Sequence, residues 1–216
     1  MSYDVLQLAF AGMHPDRARD LVGSHGVGGT LRRVAKGGVK ASVRMREAVE
    51  VPAQQRLAEL HAAGFDFVPR DVGGFPRQLA ELPDAPPGLF VRGVAEHSIP
   101  MVAVVGTRRC TTYGKQLAFE YGAAIAGAGW GVVSGLARGI DGAAHRGVAS
   151  AGGIGVAVLG SGLDVMYPAE HAGLADRLVE LGGGIVSEYP PGTPPEGWRF
   201  PPGKRQLEPT STRVWL

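Results

Sequence analysis

Two loops carry the residues best suited to chemistry. MVAVVGTRR (Met101–Arg109) and WGVVSGLARGID (Trp130–Asp141) each pass from a short apolar run into a glycine-bearing loop with arginine. Gly106, Thr107, Arg108 and Arg109 make up the first loop; Ser134, Gly135, Arg138, Gly139 and Asp141 make up the second. Guanidinium forks grip phosphate oxygens two at a time and keep their charge when partly desolvated. Glycine lets an anion approach the backbone, and free N–H groups at the start of a following helix add to such a seat. The chemistry on offer is anion binding, of one phosphate or of a polyanion backbone. The plain alternative is that these arginines are solvated loop tips.

Other chemistries fit less well. The dinucleotide fingerprint fails after the first run, where Gly106-Thr107-Arg108 lacks the second glycine. It fails again in Gly160-Ser161-Gly162-Leu163-Asp164-Val165, where Val165 replaces the third. No Walker A pattern is present, so no nucleotide cofactor is expected. Asp141 and His145 stand four apart on one helix, but no serine or cysteine nucleophile is paired with them, and a structural contact is the expectation. Asp164 is placed to orient an arginine, and Glu188 is a further edge carboxylate. The single Cys110 excludes an intramolecular disulfide, and no His, Cys or Asp spacing suggests a metal site. Tyr113, Tyr167 and Tyr189 are the aromatics available for stacking near these loops.

The elements that must position the loops follow from hydrophobic rhythm. Met101–Arg109, Trp130–Asp141, Gly153–Pro168 and Gly183–Pro190 each begin as an apolar strand. Helical segments alternate with them: Tyr113–Ala128, with Leu117, Tyr121, Ala124, Ile125 and Ala128 on one stripe; Gly142–Ser150, with Asp141 as N-cap; and Ala169–Leu181, with Leu174, Leu178 and Leu181 inward. This alternation demands right-handed crossovers and a parallel sheet whose strand ends share one edge. Upstream, Asp4–Phe10, Pro15–Val22, Leu31–Val34 and Ala53–Ala63 read as helices, with His25–Gly29 a breaker and Gly64 a stop. Prolines recur from Phe65 to Gly93, giving an extended connector with one short strand at Gly88–Arg92. The fold class is therefore α/β: a Rossmann-like parallel sheet with helices on both faces, preceded by a small N-terminal helical domain. The boundaries fall at 1–64 (helical), 65–99 (connector), 100–205 (sheet) and 206–216 (tail).

Net charge is only +2 over 216 residues, which by itself argues for no partner. Arg32, Arg33, Lys36, Lys40, Arg44 and Arg46 nevertheless follow one another without an intervening acid, a run that either touches phosphates or forms a solvated helix face. The sequence shows neither a membrane span nor a secretory leader, so a cytoplasmic protein is expected.

VVGTRRCTTYG (Val104–Gly114), VVSGLARGIDGAAHRG (Val132–Gly147), AVLGSGLDVMYPAEH (Ala157–His171) and IVSEYPPGTPP (Ile185–Pro195) together resemble the DprA/Smf family of DNA-processing proteins. FPRQLAELPDAPPGLFVRG (Phe75–Gly93) is similar to the family's lead-in, with Phe75 where a tyrosine is usual. The resemblance implies single-stranded DNA binding without strong sequence preference, loading of a RecA-type recombinase during natural transformation and DNA recombination, and no enzymatic activity. It implies DNA contact by Gly106, Thr107 and Arg108, by Ser134, Gly135, Arg138, Gly139 and Asp141, and by Arg205, where the family has an arginine; Arg109 joins them by its place beside Arg108. Met13-His14-Pro15 does not give the glycine hairpin found in many members.

The resemblance stops after Arg205. The expected Phe-Pro-x-Arg-Asn-Arg loop is replaced by Phe200-Pro201-Pro202-Gly203-Lys204-Arg205, and QLEPTSTRVWL follows. The expectation is a frameshifted or truncated member, or else a genuine short variant. Such a sheet would end in an unpaired edge, lack one basic wall and the family's homodimer surface, and bind DNA weakly. Two rival readings use the same superfamily: a nucleotide phosphoribohydrolase, whose Pro-Gly-Gly-x-Gly-Thr loop is not matched by Leu181-Gly182-Gly183-Gly184, and a small-nucleotide sensor.

Overall fold

In a computed structural model, which describes residues 4–13, 15–195 and 213–215, the chain opens with helices α1 (Asp4–Phe10), α2 (Pro15–Ala35), α3 (Val43–Glu50) and α4 (Ala53–Ala62). The expected breaker is real: α2 is interrupted at Gly26, whose φ of 66° and ψ of 170° no helix accommodates. Sequence reading missed α3, which Ser42 caps by accepting from the Met45 N–H at 3.2 Å. Gly64, with φ of 76°, closes α4 as expected. Ala11, Val34 and Val49 form a small core of this part, whereas Leu6 and Leu60 join the main core with Phe67 and Phe90.

The connector is more structured than one strand. It forms β1 (Asp66–Pro69), the short α5 (Arg77–Ala80) and β2 (Gly88–Gly93). Prolines sit at the ends of these elements, where no ladder or helix N–H is lost: Pro69 ends β1 and Pro76 precedes α5. The apolar runs become β3 (Met101–Val104), β4 (Gly131–Ser134), β5 (Gly155–Leu159) and β6 (Gly184–Ser187), linked by α6 (Thr112–Gly127), α7 (Ile140–Ser150) and, after a 3-10 turn at Ala169–His171, α8 (Ala172–Glu180). Strands β3 to β6 are parallel neighbours.

The sheet does not end at those four. Strand β2 pairs antiparallel with β6 and with β1, and β7 (Arg213–Trp215) pairs in parallel with β3, giving the order β1-β2-β6-β5-β4-β3-β7. The expected unpaired edge is thus overturned, since both flanks of the parallel core have partners. The tail has no apolar period, yet three of its residues suffice to join a ladder whose bonds come from the backbone.

Both faces of the parallel strands are buried, which explains their unbroken apolar runs. Val102, Val132, Ala157 and Ile185 face a core shared with α7 and α8; Met101, Ala103, Val133 and Val156 face one shared with Phe75 and Leu79 around α5. Helices therefore flank both faces, the long ones on one side. Helix α6 turns only part of the anticipated stripe inward: Ile125 packs on the core and Leu117 is half-buried, but Tyr121, Ala124 and Ala128 are exposed, and Ala118 and Gly122 are the buried residues. Glycine decides this. A Cβ on Gly122 would lie 2.2 Å from the Ala144 carbonyl oxygen, and one on Gly147 would lie 2.0 Å from that of Phe119, so α6 and α7 pack backbone to backbone.

Candidate functional site

The two arginine loops leave the C-terminal ends of β3 and β4 and lock into each other. A Cβ on Gly106 would meet Ile140 side-chain atoms at 2.6–2.9 Å, and one on Gly139 would meet the Thr107 carbonyl oxygen at 2.2 Å. Gly139 also holds φ at 83°, a region that side chains resist. The Ile140 N–H donates to the Thr107 carbonyl at 3.3 Å, and the Thr107 hydroxyl accepts from the Arg109 N–H at 3.2 Å. Steric exclusion by glycine therefore brings Thr107, Arg108 and Arg109 beside Arg138 at one exposed edge.

Asp141 is not the N-cap that its position suggests. Gly139 occupies that place, and the Asp141 carboxylate turns back to accept from the Gly106 N–H at 3.2 Å. Burial pushes its pKa up, opposed by the Gly106, Gly135 and Ala137 N–H groups and by the charge of Arg108. It thereby ties the two loops together. Ser134 likewise is fully buried, its hydroxyl donating to the Val104 carbonyl at 2.5 Å and stitching β4 to β3. Of the nine loop residues, Gly106, Thr107, Arg108, Arg109 and Arg138 are exposed, Gly135 is half-buried, and Ser134, Gly139 and Asp141 are internal. Arg205 lies outside the described residues.

Two residues that sequence reading passed over organise Arg138. Glu170, in the 3-10 turn after β5, binds its guanidinium with both oxygens, Nε to Oε1 at 3.0 Å and Nη2 to Oε2 at 2.9 Å. The pairing raises the pKa of Arg138 and lowers that of Glu170. At 56% and 58% exposure the pair is open to solvent, so an incoming anion can replace the carboxylate. The neighbouring His171 is buried and sits 2.8 Å from the Leu136 carbonyl through Nδ1; because a carbonyl only accepts, Nδ1 carries the hydrogen. Nε2 is then free to accept from Arg146 at 3.3 Å. Leu136 is held at φ 52°, the one non-glycine residue with positive φ among those described, and His171 braces that strained turn.

The remaining candidates are placed otherwise. Asp164 does not orient an arginine; its two oxygens accept from the Gly192 N–H at 2.7 and 2.9 Å. The Gly160–Gly162 loop is closed by the Thr193 carbonyl, which accepts from the Gly162 N–H at 2.9 Å. His145 is fully buried, and burial chiefly pushes its pKa down to about 4, so it is neutral and structural. Tyr113 and Tyr167 are exposed and Tyr189 is half-buried. Gly183 and Gly184 lie at the start of β6, the edge opposite the arginines, and are packed against the Gly155 and Val94 carbonyls. Among the described residues no cluster could hold a metal ion, and no helix is long and apolar enough to cross a membrane.

Comparison with known proteins bears on this edge. The family model for DNA recombination-mediator protein A matches residues 67–211. The chain is 39% identical over 163 residues to Protein Smf of Escherichia coli, covering 74% of this chain and 43% of that protein. It is 33% identical over 188 residues to the DNA processing protein DprA of Bacillus subtilis, covering 85% and 63% respectively. The chain thus spans less than two thirds of the length of these curated relatives. Among solved structures, DNA processing protein A of Streptococcus pneumoniae aligns with a TM-score of 0.75 and 27% identity, over 98% of this chain and 76% of that one. A structure of the Helicobacter pylori protein, described for its single-stranded DNA binding mode, aligns with a TM-score of 0.59 and 25% identity, over 69% and 67%.

Proposed function

The chain belongs to the DNA recombination-mediator protein A family, and from that premise we propose that the edge built by Arg108, Arg109 and Arg138 seats the backbone of single-stranded DNA without strong sequence preference. The observation that carries the reading is the interlock of Gly106 and Gly139, which brings the Thr107–Arg108 backbone against that of Gly139, so that Arg108 and Arg138, from two strand ends, share one exposed edge. A phosphate chain needs such a row of fixed cations, and stacking on Tyr113 or Tyr167 would add to it. The bound strand is then handed to a RecA-type recombinase in the cytoplasm, a binding and loading role that calls for no catalysis. Among the described residues nothing at this edge pairs a nucleophile with a base. The glycine run that a nucleotide-cleaving relative would need for phosphate lies at the opposite edge.

The test is fluorescence anisotropy with labelled oligo-dT in about 0.15 M salt. The wild-type chain binds, and the Arg108→Ala/Arg138→Ala variant loses at least about thirtyfold in affinity with its melting temperature unchanged. Equal binding by the two proteins would refute the assignment. So would saturable binding of a mononucleotide that oligonucleotide fails to displace, which would favour a small-nucleotide sensor.

A further inference from the structure

We propose that the helical part carries a second phosphodiester-binding surface, Arg32, Arg33 and Lys36, onto which a strand leaving the arginine loops runs. The proposal rests on the reading that those loops seat DNA. The three side chains line an open groove of about 500 Å³ at the C-terminal end of α2, with Gly29 and Gly38 in its wall. All three are exposed, and none is in an ion pair among the described residues. Asp4 Oδ2 and Arg32 Nη1 both approach Gly28 but make no such pair.

A helix-capping role does not account for them. The C-terminal end of a helix presents about half a negative charge, which one cation satisfies. The carbonyls there are already bonded: the Gly38 N–H donates to Arg33 at 2.8 Å and the Gly37 N–H donates to Val34 at 3.1 Å. Three cations at that end leave a clear positive excess, and glycine in the wall lets a phosphate reach it.

Helix α3 links the surface to the sheet edge. Arg44 and Met45 of α3 line a cleft of about 400 Å³ whose opposite wall is Glu188, Tyr189, Pro190 and Thr193, just past the C-terminal end of β6. That end belongs to the same sheet edge as the arginine loops. Strands β4 and β6 are two spacings apart, about 10 Å. Helix α3 in turn packs on α2, which carries the three cations, so exposed Arg44 is the cation we place between the edge and that surface.

Length dependence separates this surface from the loops. An oligonucleotide of about 6 nucleotides fits the loops alone, and one of about 30 reaches both. The Arg32→Ala/Arg33→Ala/Lys36→Ala variant is expected to bind the long strand about tenfold more weakly. Its slope of log affinity against log salt should fall by about 2, for three phosphates on single-stranded DNA. It should bind the short strand as wild type does, with unchanged circular dichroism and melting temperature. Wild-type affinity and slope on the long strand would overturn the proposal while leaving the loop assignment intact. Loss of short-strand binding by Arg108→Ala/Arg138→Ala tests the loops independently. If that variant binds the short strand normally while the triple variant loses the long one, the loop assignment fails and the path proposed from the loops falls with it.

Discussion

The helical part and the sheet part divide charge and order between them. Residues 1–64 hold nine Lys and Arg against six Asp and Glu; the remainder holds 13 against 14. The net positive charge therefore lies in the helices, while the interlocked arginines sit in a part that is almost neutral. Buried polar groups run the other way. Among the described residues Thr30 is the buried polar group of the helical part, whereas the sheet part buries Ser134, Asp141, His145, Ser161, His171 and Ser187. Attraction and placement are thus separate jobs: net charge draws a polyanion from a distance whatever its arrangement, and a seat needs fixed geometry.

That contrast can be broken first at Gly139. Gly139→Val forces a side chain into the Thr107 carbonyl at a positive φ, and we expect about 4 kcal/mol of destabilisation together with loss of oligonucleotide binding. Chemical denaturation and anisotropy on the same protein read both effects; a stable variant that still binds would mean the loops are not locked. The second test is acid. The pKa of His145 is held at about 4 in the fold against an ordinary 6.5, so between those values the unfolded chain takes up a proton that the folded chain does not. Stability is whole above pH 6.5 and is lost as pH falls toward 4, by on the order of 3 kcal/mol. His145→Leu should flatten this limb of the urea midpoint against pH, whereas the Arg32/Arg33/Lys36 variant should keep it. Parallel wild-type and His145→Leu curves would remove His145 as the cause.

Smaller effects sharpen the contrast. Arg138→Ala alone should weaken oligo-dT binding about tenfold without changing stability, because the side chain is exposed. Glu170→Gln frees the same guanidinium from its carboxylate and should strengthen binding roughly twofold, with the gain shrinking as salt rises. A weaker Glu170→Gln complex would make Glu170 a support for Arg138 rather than a competitor of phosphate.

Local signals in the sequence reached the strands and most helices. Asp4–Phe10 appears with the anticipated ends, and the four apolar runs pair in parallel as anticipated, because period and length are written in consecutive residues. What local signals miss is what partners decide. Asp141 looks like a cap by its spacing, but N–H groups of Gly106 in the other loop and of Gly135 and Ala137 in its own outbid its helix. Glu170 lies 32 residues from Arg138 and carries no pattern that announces the pair. Strand β1 spans only four residues and ends on Pro69, too short for alternation to register. The stripe on α6 was misplaced because burial there follows glycine, which hydrophobic periodicity does not weigh.

The missing side chain of Gly139 has a consequence for exchange between relatives. The space it vacates is filled by the backbone of the neighbouring loop, so neither loop is an independent module. A graft of Gly106–Arg109 from another member would inherit this chain's Gly139 and Ile140 as its mould. Variation at the two loops is therefore coupled, and a chimera moves both or loses the seat that they make together.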